Sequence, residues 1–151
     1  MDELVGGEYT KERQEEERRA SEDLLLTAGT YVTKPALTLD ARVGDREFNA
    51  GRIEYSFFGQ VENETTQERG GLRFSISPDR RDTRTGKPDG RFSLWLDAVA
   101  AFVRANGRQP HRLEEVAEYI RDYAVRLRVT RMPATEQYDA KNVVRKITPV
   151  Q

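Results

Sequence analysis

The segment VRLRVTR, residues 125–131, alternates apolar and polar side chains along its whole length and predicts a strand over residues 123–131. Successive side chains of a strand point to opposite faces. One set is therefore predicted to face a core: Val125, Leu127 and Val129. Arg126 and Arg128 must then share the outer surface, with Arg131 just beyond them. That surface is either merely solvated or a binding face.

Four further segments carry strand signals. A first strand is predicted near residues 30–40, where β-branched and aromatic residues are interrupted by Pro35, which indicates an edge or a bulge. GRIEYSFFGQVE (residues 51–62) and GGLRFSISP (residues 70–78) alternate in the same way and predict the second and third strands. After the strand near residue 125, a last one is predicted over residues 142–148.

The hydrophobic period changes to that of a helix between the third and fourth strands. In residues 89–107 the apolar positions recur at helical spacing, with Asp89 as a cap and Gly107 as a stop. They are Phe92, Trp95, Leu96, Val99, Phe102 and Val103. A shorter helix is predicted within residues 111–123, where a second apolar stripe consists of Leu113, Val116, Ala117 and Ile120.

The order of predicted elements is three strands, a helical segment and two strands. This order matches the partly open five-stranded Greek-key barrel called the OB-fold. The expected fold class is therefore mainly β with α (α+β). We expect a charged N-terminal arm over residues 1–23, as a frayed helix or disordered, and an OB-like barrel over residues 24–151 with its helical segment between strands 3 and 4. The alternative is another small β-sandwich or barrel with helices packed at one end.

Composition narrows the class of protein. A chain of 151 residues can bury one core without disulfides. It has no cysteine and one histidine, which excludes thiolate metal sites and leaves little for imidazole ligation. No stretch approaches the roughly 18 apolar residues of a membrane span, and residues 1–20 are acidic and polar, unlike a signal peptide. We expect a soluble cytoplasmic protein with no cofactor and no membrane partner.

The net charge of −1 hides an asymmetry along the chain. Residues 1–23 hold nine acidic and four basic residues, a net charge of −5, so the remainder carries +4. In residues 121–151, seven basic residues meet three acidic ones. An acidic arm is thus predicted to precede a domain with a basic end, which favours nucleic acid as a partner.

Single-stranded nucleic acid needs cations for its phosphates and flat aromatic faces for its bases. On the OB interpretation these lie on the outward sides of strands 2, 3 and 4 and in the loops after strands 1 and 4. The candidate nucleic-acid-binding residues are Arg52, Phe58, Arg73, Arg126, Arg128, Arg42, Arg46, Arg131, Tyr138 and Lys141. The alternative is that the arginines are ordinary solvated residues paired with nearby acids, and that Phe58 packs under a loop.

The remaining motifs do not indicate catalysis. The basic loop of residues 78–91 contains TGKP, but the first glycine and the Ser or Thr of a P-loop are missing. His111 stands near Glu114 and Glu115 without the two-histidine zinc signature. No Ser-His-Asp set, metal cluster or secluded carboxylate pair can be assembled, so we expect neither enzymatic activity nor a metal site.

The order of motifs resembles that of small phage-encoded OB-fold proteins that bind single-stranded DNA during replication and recombination. The resemblance spans residues 26–150. It rests on LTAGTYV, on the strand pair GRIEYSFFGQ and GGLRFSISP, on the helix start GKPDGRFSLW, and on the closing hairpin YAVRLRVTR to NVVRKITPV. The resemblance implies coating or handling of single strands in a bacterial host cell, without chemistry.

One departure from this family concerns the acidic segment. Many bacterial and phage single-strand binders end in an acidic tail that recruits partner enzymes, whereas this chain ends VVRKITPVQ and carries its acids at the front. The arm is predicted either to recruit replication or assembly proteins or to shield the basic face by mimicking phosphates. The alternative function is a phage-like structural or assembly module that docks on a partner subunit through the arm. RNA binding is a third possibility.

Overall fold

The computed structural model describes residues 25–45, 50–79 and 90–150. The arm of residues 1–23, Arg46 and most of the predicted loop 78–91 lie outside these ranges. The described elements, in chain order, are β1 (Gly29–Thr33), β2 (Thr38–Val43), β3 (Ile53–Asn63), β4 (Arg69–Ile76), α1 (Gly90–Asn106), α2 (Leu113–Asp122), β5 (Val125–Met132) and β6 (Lys141–Pro149).

The first predicted strand is two strands, β1 and β2, that run along the same edge of β3. β2 pairs with the first half of β3 and β1 with its last three residues, while β4 occupies the opposite edge. Residues 34–37 separate β1 from β2. Pro35 stands in this break and has no N–H to donate to a ladder, which explains why the strand is interrupted there.

The strands form one curled antiparallel sheet in the order β4-β3-β1-β5-β6, and β2 pairs with β3 alone, on the same edge as β1. The result is a half-barrel, mainly β with two helices. The predicted alternation holds: the side chains that face the core include Tyr55, Phe57, Leu72, Phe74, Leu127 and Val129. The second to fifth predicted strands are confirmed, with ends that differ by one or two residues.

Helix α1 packs against β4 and β6. It ends where predicted, because Gly107 adopts a φ of 69°, a left-handed conformation that suits glycine after a helix. The predicted apolar stripe was partly wrong, since Leu96 is 53% exposed. The buried face is set by Ala98 and Ala101, which are fully buried. Small side chains let a helix approach a sheet closely. The alanines therefore indicate the buried face of α1, and a prediction from the large apolar residues alone does not use them.

Helix α2 has the predicted stripe of Val116, Ala117 and Ile120 buried, and Tyr119 joins them. Leu113 lies at the exposed start of the helix. In the part of the chain that the structure describes, no helix is long and apolar enough to cross a membrane.

The half-barrel is open between its two end strands. Within the described ranges, no backbone pairing joins β4 to β6. The Asp97 carboxylate of α1 accepts a hydrogen bond from the Ile147 N–H of β6 at 3.1 Å. The Ser77 N–H that follows β4 donates to the Arg91 carbonyl of α1 at 3.1 Å. Helix α1 therefore links the two end strands, and an open cleft remains between β4, the start of α1 and the start of β6.

Candidate nucleic-acid interface

The seam cleft, defined as the cavity between β4, the first turns of α1 and the start of β6, encloses about 800 Å³. Four cationic side chains line it, and no acidic residue is among its described lining. They are Arg73, Arg91, Lys141 and Arg145. The first turn of α1 contains no acidic residue either. Because a helix N-terminus carries partial positive charge, the backbone adds to the positive field of these side chains.

Arg73 and Phe58 form a cross-strand pair at one edge of the cleft. They lie directly opposite each other on β4 and β3, and the Arg73 guanidinium stands 5.4 Å from the centre of the Phe58 ring. Gly71 leaves room for the ring, since a β-carbon there would stand 3.3 Å from Phe58 Cζ. Phe58 is 44% exposed, so no described loop covers it. An exposed ring with a cation above it is suited to stacking against a base.

Arg91 is held near the cleft by a carboxylate on the outer side of β3. Its Nη1 lies 2.7 Å from Glu54 Oε1, and Arg52 Nε lies 3.7 Å from the same oxygen. Glu54 thereby partly neutralises the charge of Arg91, so the other three cations contribute more to the positive field of the cleft.

The predicted outward position of Arg52 is corrected. Arg52 is 7% exposed and donates from Nε to Ser77 Oγ at 3.2 Å. It precedes the first residue of β3 and follows Gly51, which has a φ of 75°. The alternation of a strand does not extend through such a turn. The alternation from Ile53 onward therefore does not predict the direction of the Arg52 side chain. Its buried position indicates a structural role.

A second cationic surface lies on the outer side of β5 and β6. Arg128 stands directly opposite Lys146, and the register shifts by one residue next to this pair, which leaves Arg145 as an extra residue on β6. Arg145 and Lys146 are consequently both exposed. Like charges directly opposite each other on neighbouring strands destabilise a sheet. Among the described residues, neither Arg128 nor Lys146 has an acidic partner that would relieve this repulsion.

The two cationic surfaces are continuous through Arg145. Its side chain lines the seam cleft, and its Nε donates to Thr130 Oγ1 on the outer side of β5 at 3.2 Å. We call the combined surface the cationic band. It comprises the Phe58 and Arg73 pair, the cleft cations Lys141 and Arg145, and the Arg128 and Lys146 pair.

Two predicted arginines form ion pairs with acidic residues of the protein. Arg126 does share the outer face with Arg128, but its Nε pairs with the Glu64 carboxylate. Arg42 pairs with Asp40 at 2.9 Å. These two match the alternative of solvated arginines with acidic partners, and their side chains are less available for phosphates than that of Arg128.

Arg131 anchors the start of the described domain. Its Nε donates to the Leu26 carbonyl at 2.9 Å and its Nη2 to the Leu25 carbonyl at 2.8 Å. Asn142 of the seam cleft binds the same segment, accepting from Leu26 N–H at 2.9 Å and donating to Leu26 O at 2.8 Å. The chain therefore enters the domain at the rim of the seam cleft.

Two other predicted residues, Tyr138 and Lys141, lie just before β6 and at its first position. Tyr138 is 67% exposed. Its backbone is fixed by a tight turn, in which Thr135 N–H donates to the Tyr138 carbonyl at 2.8 Å and Tyr138 N–H donates to Thr135 Oγ1 at 3.1 Å. Lys141 begins β6 and lines the cleft. Tyr138 thus presents an exposed ring three residues before a cleft cation.

Sequence reasoning missed Arg145 and Lys146 as site residues. Two consecutive cations inside the apolar segment NVVRKITP break strict alternation. Such a break is the signal of a β-bulge, which turns both side chains outward.

Within the described ranges, no three His, Cys, Asp or Glu side chains are grouped as a metal site would require. The chain matches no protein-family model, and no curated protein is significantly similar to it in sequence.

Proposed function

We propose that this protein binds single-stranded DNA without catalysing a reaction, and that the cationic band is its binding surface. The observation that carries the proposal is the seam cleft, whose described lining holds four cationic side chains and no acidic one. An open cleft of this charge attracts a polyanion and concentrates it at the surface. Such a protein would coat or handle strands exposed during replication or recombination.

The strand order supports an OB-type barrel as the scaffold. If β1 and β2 count as one interrupted strand, the five strands lie in the order three-two-one-four-five across the sheet, with α1 and α2 between the third and the fourth in sequence, an arrangement compatible with the proposed barrel. OB-folds bind oligonucleotides on the face of strands 2 and 3 and in the loops after strands 1 and 4. Here those strands are β3 and β4, which carry Phe58 and Arg73, and the second loop carries Tyr138.

In the proposed binding mode, cationic side chains contact the phosphates and aromatic side chains contact the bases. Phosphates contact the cations Arg73, Lys141, Arg145, Arg128 and Lys146, and each contact releases counterions from the strand. Bases stack on the exposed rings of Phe58 and Tyr138. Because every base has a flat face, stacking of this kind tolerates any sequence. The proposed binding is therefore strongly salt-dependent and weakly sequence-dependent.

The test is fluorescence anisotropy of a labelled oligothymidine titrated with the full chain at several salt concentrations. The cleft variant replaces Lys141 and Arg145 with glutamine. A matched control replaces Arg104 and Arg112 with glutamine, because both are exposed cations outside the seam cleft. The two variants lose the same charge.

We expect the cleft variant to lower the slope of log affinity against log salt by about 1.4, since each lost single-strand phosphate contact accounts for about 0.7. At 0.1 M salt this corresponds to a loss of affinity of at least about tenfold. The control should retain the slope of the wild type. Absence of binding at low salt contradicts the proposal, and equal losses in both variants contradict the location of the site. A matched titration with oligouridine measures any preference for RNA, which would depend on the 2′-hydroxyl.

A further inference from the structure

The acidic arm of residues 1–23 is attached to the domain beside the seam cleft. Asn142 lines the cleft and makes two hydrogen bonds to the backbone of Leu26. The adjoining Thr27 is fixed as well, because its N–H and its hydroxyl donate to the Glu68 carboxylate at 3.0 and 2.8 Å. The point from which the arm departs is therefore held firmly at the cleft rim.

Covalent geometry brings the nearest acids of the arm close to the cleft. Glu22 and Asp23 precede Leu26 by four and three residues. A chain spans at most about 3.3–3.6 Å per residue, so both backbones lie within about 14 Å of the anchored Leu26. The cluster Glu15, Glu16 and Glu17 is attached by a longer segment, with a reach of about 40 Å.

The charges of the two partners are complementary. The arm carries a net charge of −5, and the described lining of the cleft holds four cations and no acid. Tethering makes the encounter intramolecular, and a short tether gives an effective concentration on the order of millimolar. A carboxylate presents oxygen acceptors to an arginine or lysine much as a phosphate does.

We infer that the seam cleft is the docking surface for the acidic arm of the same chain, with Glu22 and Asp23 as the residues that enter it. Docking places carboxylates where phosphates of a single strand would bind, so the arm and the strand compete. The competition part of this inference rests on the proposed function, whereas docking of the arm does not. An arm that occupies the cleft about two-thirds of the time weakens affinity for a strand about threefold.

The first measurement detects docking without DNA. The full chain is acetylated with an N-hydroxysuccinimidyl ester of acetic acid, and the modification rates of individual lysines are followed by mass spectrometry. Lys141 lies in the cleft, and Lys34, which pairs with Glu62 at 3.1 Å, serves as the internal reference. We expect the rate of Lys141 relative to Lys34 to rise about threefold in the variant Glu22→Gln, Asp23→Asn, because an undocked arm exposes the amine.

A matched control separates docking from net charge. The variant Glu114→Gln, Glu118→Gln removes the same charge from exposed positions of α2 outside the cleft lining. This control should leave the relative rate of Lys141 unchanged. An equal rise in both variants, or no rise in the arm variant, overturns the inference.

The second measurement is oligothymidine anisotropy with the same proteins, for which we expect about threefold tighter binding by the arm variant alone. If DNA binds and Lys141 is unaffected by the arm, docking in the cleft is refuted while the proposed function stands. If Lys141 responds to the arm and no variant binds DNA, docking stands and the proposed function fails. Tighter binding without a Lys141 response also refutes docking in the cleft.

Discussion

Arg128 and Lys146 are like charges directly opposite each other on β5 and β6. Replacing one of them with an acidic residue is therefore expected to stabilise the fold and to weaken DNA binding. Directly opposite residues of an antiparallel pair have β-carbons about 4.5–5.5 Å apart, and like charges there repel while opposite charges attract, each by roughly 0.2–1 kcal/mol. The substitution Lys146→Glu converts repulsion into attraction, so we expect it to stabilise the fold by about 1 kcal/mol. For a chain of this size the midpoint of thermal unfolding rises by about 2–4 °C.

The same substitution removes one cation from the proposed path of the strand. We expect the slope of log affinity against log salt to fall by about 0.7. The assays are thermal unfolding followed by circular dichroism at low ionic strength and oligothymidine anisotropy across a salt series. Low ionic strength matters because salt screens exposed charges.

Lys34→Glu is the matched control. It changes the net charge by the same amount as Lys146→Glu, but it creates a repulsion where the other substitution removes one. It replaces the ion pair with Glu62 by two like charges. This control should lower the midpoint of thermal unfolding and leave DNA affinity close to that of the wild type. The reasoning is refuted if Lys146→Glu lowers the midpoint as the control does, or if it leaves the salt slope unchanged.

Three further outcomes are expected. Arg131→Leu removes two charge-assisted hydrogen bonds to backbone carbonyls and should destabilise the domain by about 1–3 kcal/mol in urea unfolding; an unchanged midpoint would contradict the anchoring role. Phe58→Ala should weaken oligothymidine binding about fivefold or more, because one stacked base contributes roughly 1–3 kcal/mol, and equal affinity would exclude stacking on this ring. The Arg108 guanidinium holds the pKa of Glu115 down to about 2, so the stability that this carboxylate contributes is present above its ordinary value near 4.5 and is lost as pH falls towards 2; carboxyl chemical shifts titrating near 4.5 in the folded protein would contradict this.

Strand alternation predicted most of the sheet because each strand has one buried face. In VRLRVTR the three apolar residues are buried and Arg126 and Arg128 share the outer face, as predicted. In the sequence Pro35 indicates an edge or a bulge within one strand, whereas it stands in a break between two strands, β1 and β2. The pattern failed for Arg52 and Leu96, where side-chain direction depends on a turn and on which helix face contains the small alanines. Neither property is visible in the spacing of large apolar residues.

The candidate site could be predicted only as a set of residue types. Which arginines remain available depends on acids far along the chain. Glu64 neutralises Arg126 from 62 residues away, and Arg131 binds carbonyls 105 and 106 residues away. The cleft itself arises because β4 and β6 remain unpaired. The start of β6 lies 65 residues after the end of β4 in the sequence. A pattern read along one strand contains none of these distances.

The cations of the cationic band have two physical explanations, and their positions distinguish them. Charged side chains on an end strand prevent edge-to-edge association of sheets, and this alone accounts for Lys141 and Arg145 beside the open seam. It also accounts for Lys146 on the same end strand, but not for Arg128, because Arg128 lies on β5, which is hydrogen-bonded to β1 on one side and to β6 on the other and has no free edge. Nor does it explain the exposed Phe58, since an apolar ring promotes association. Binding of a polyanion with stackable rings explains all of these positions together, and it is for this reason that we favour it over edge protection alone.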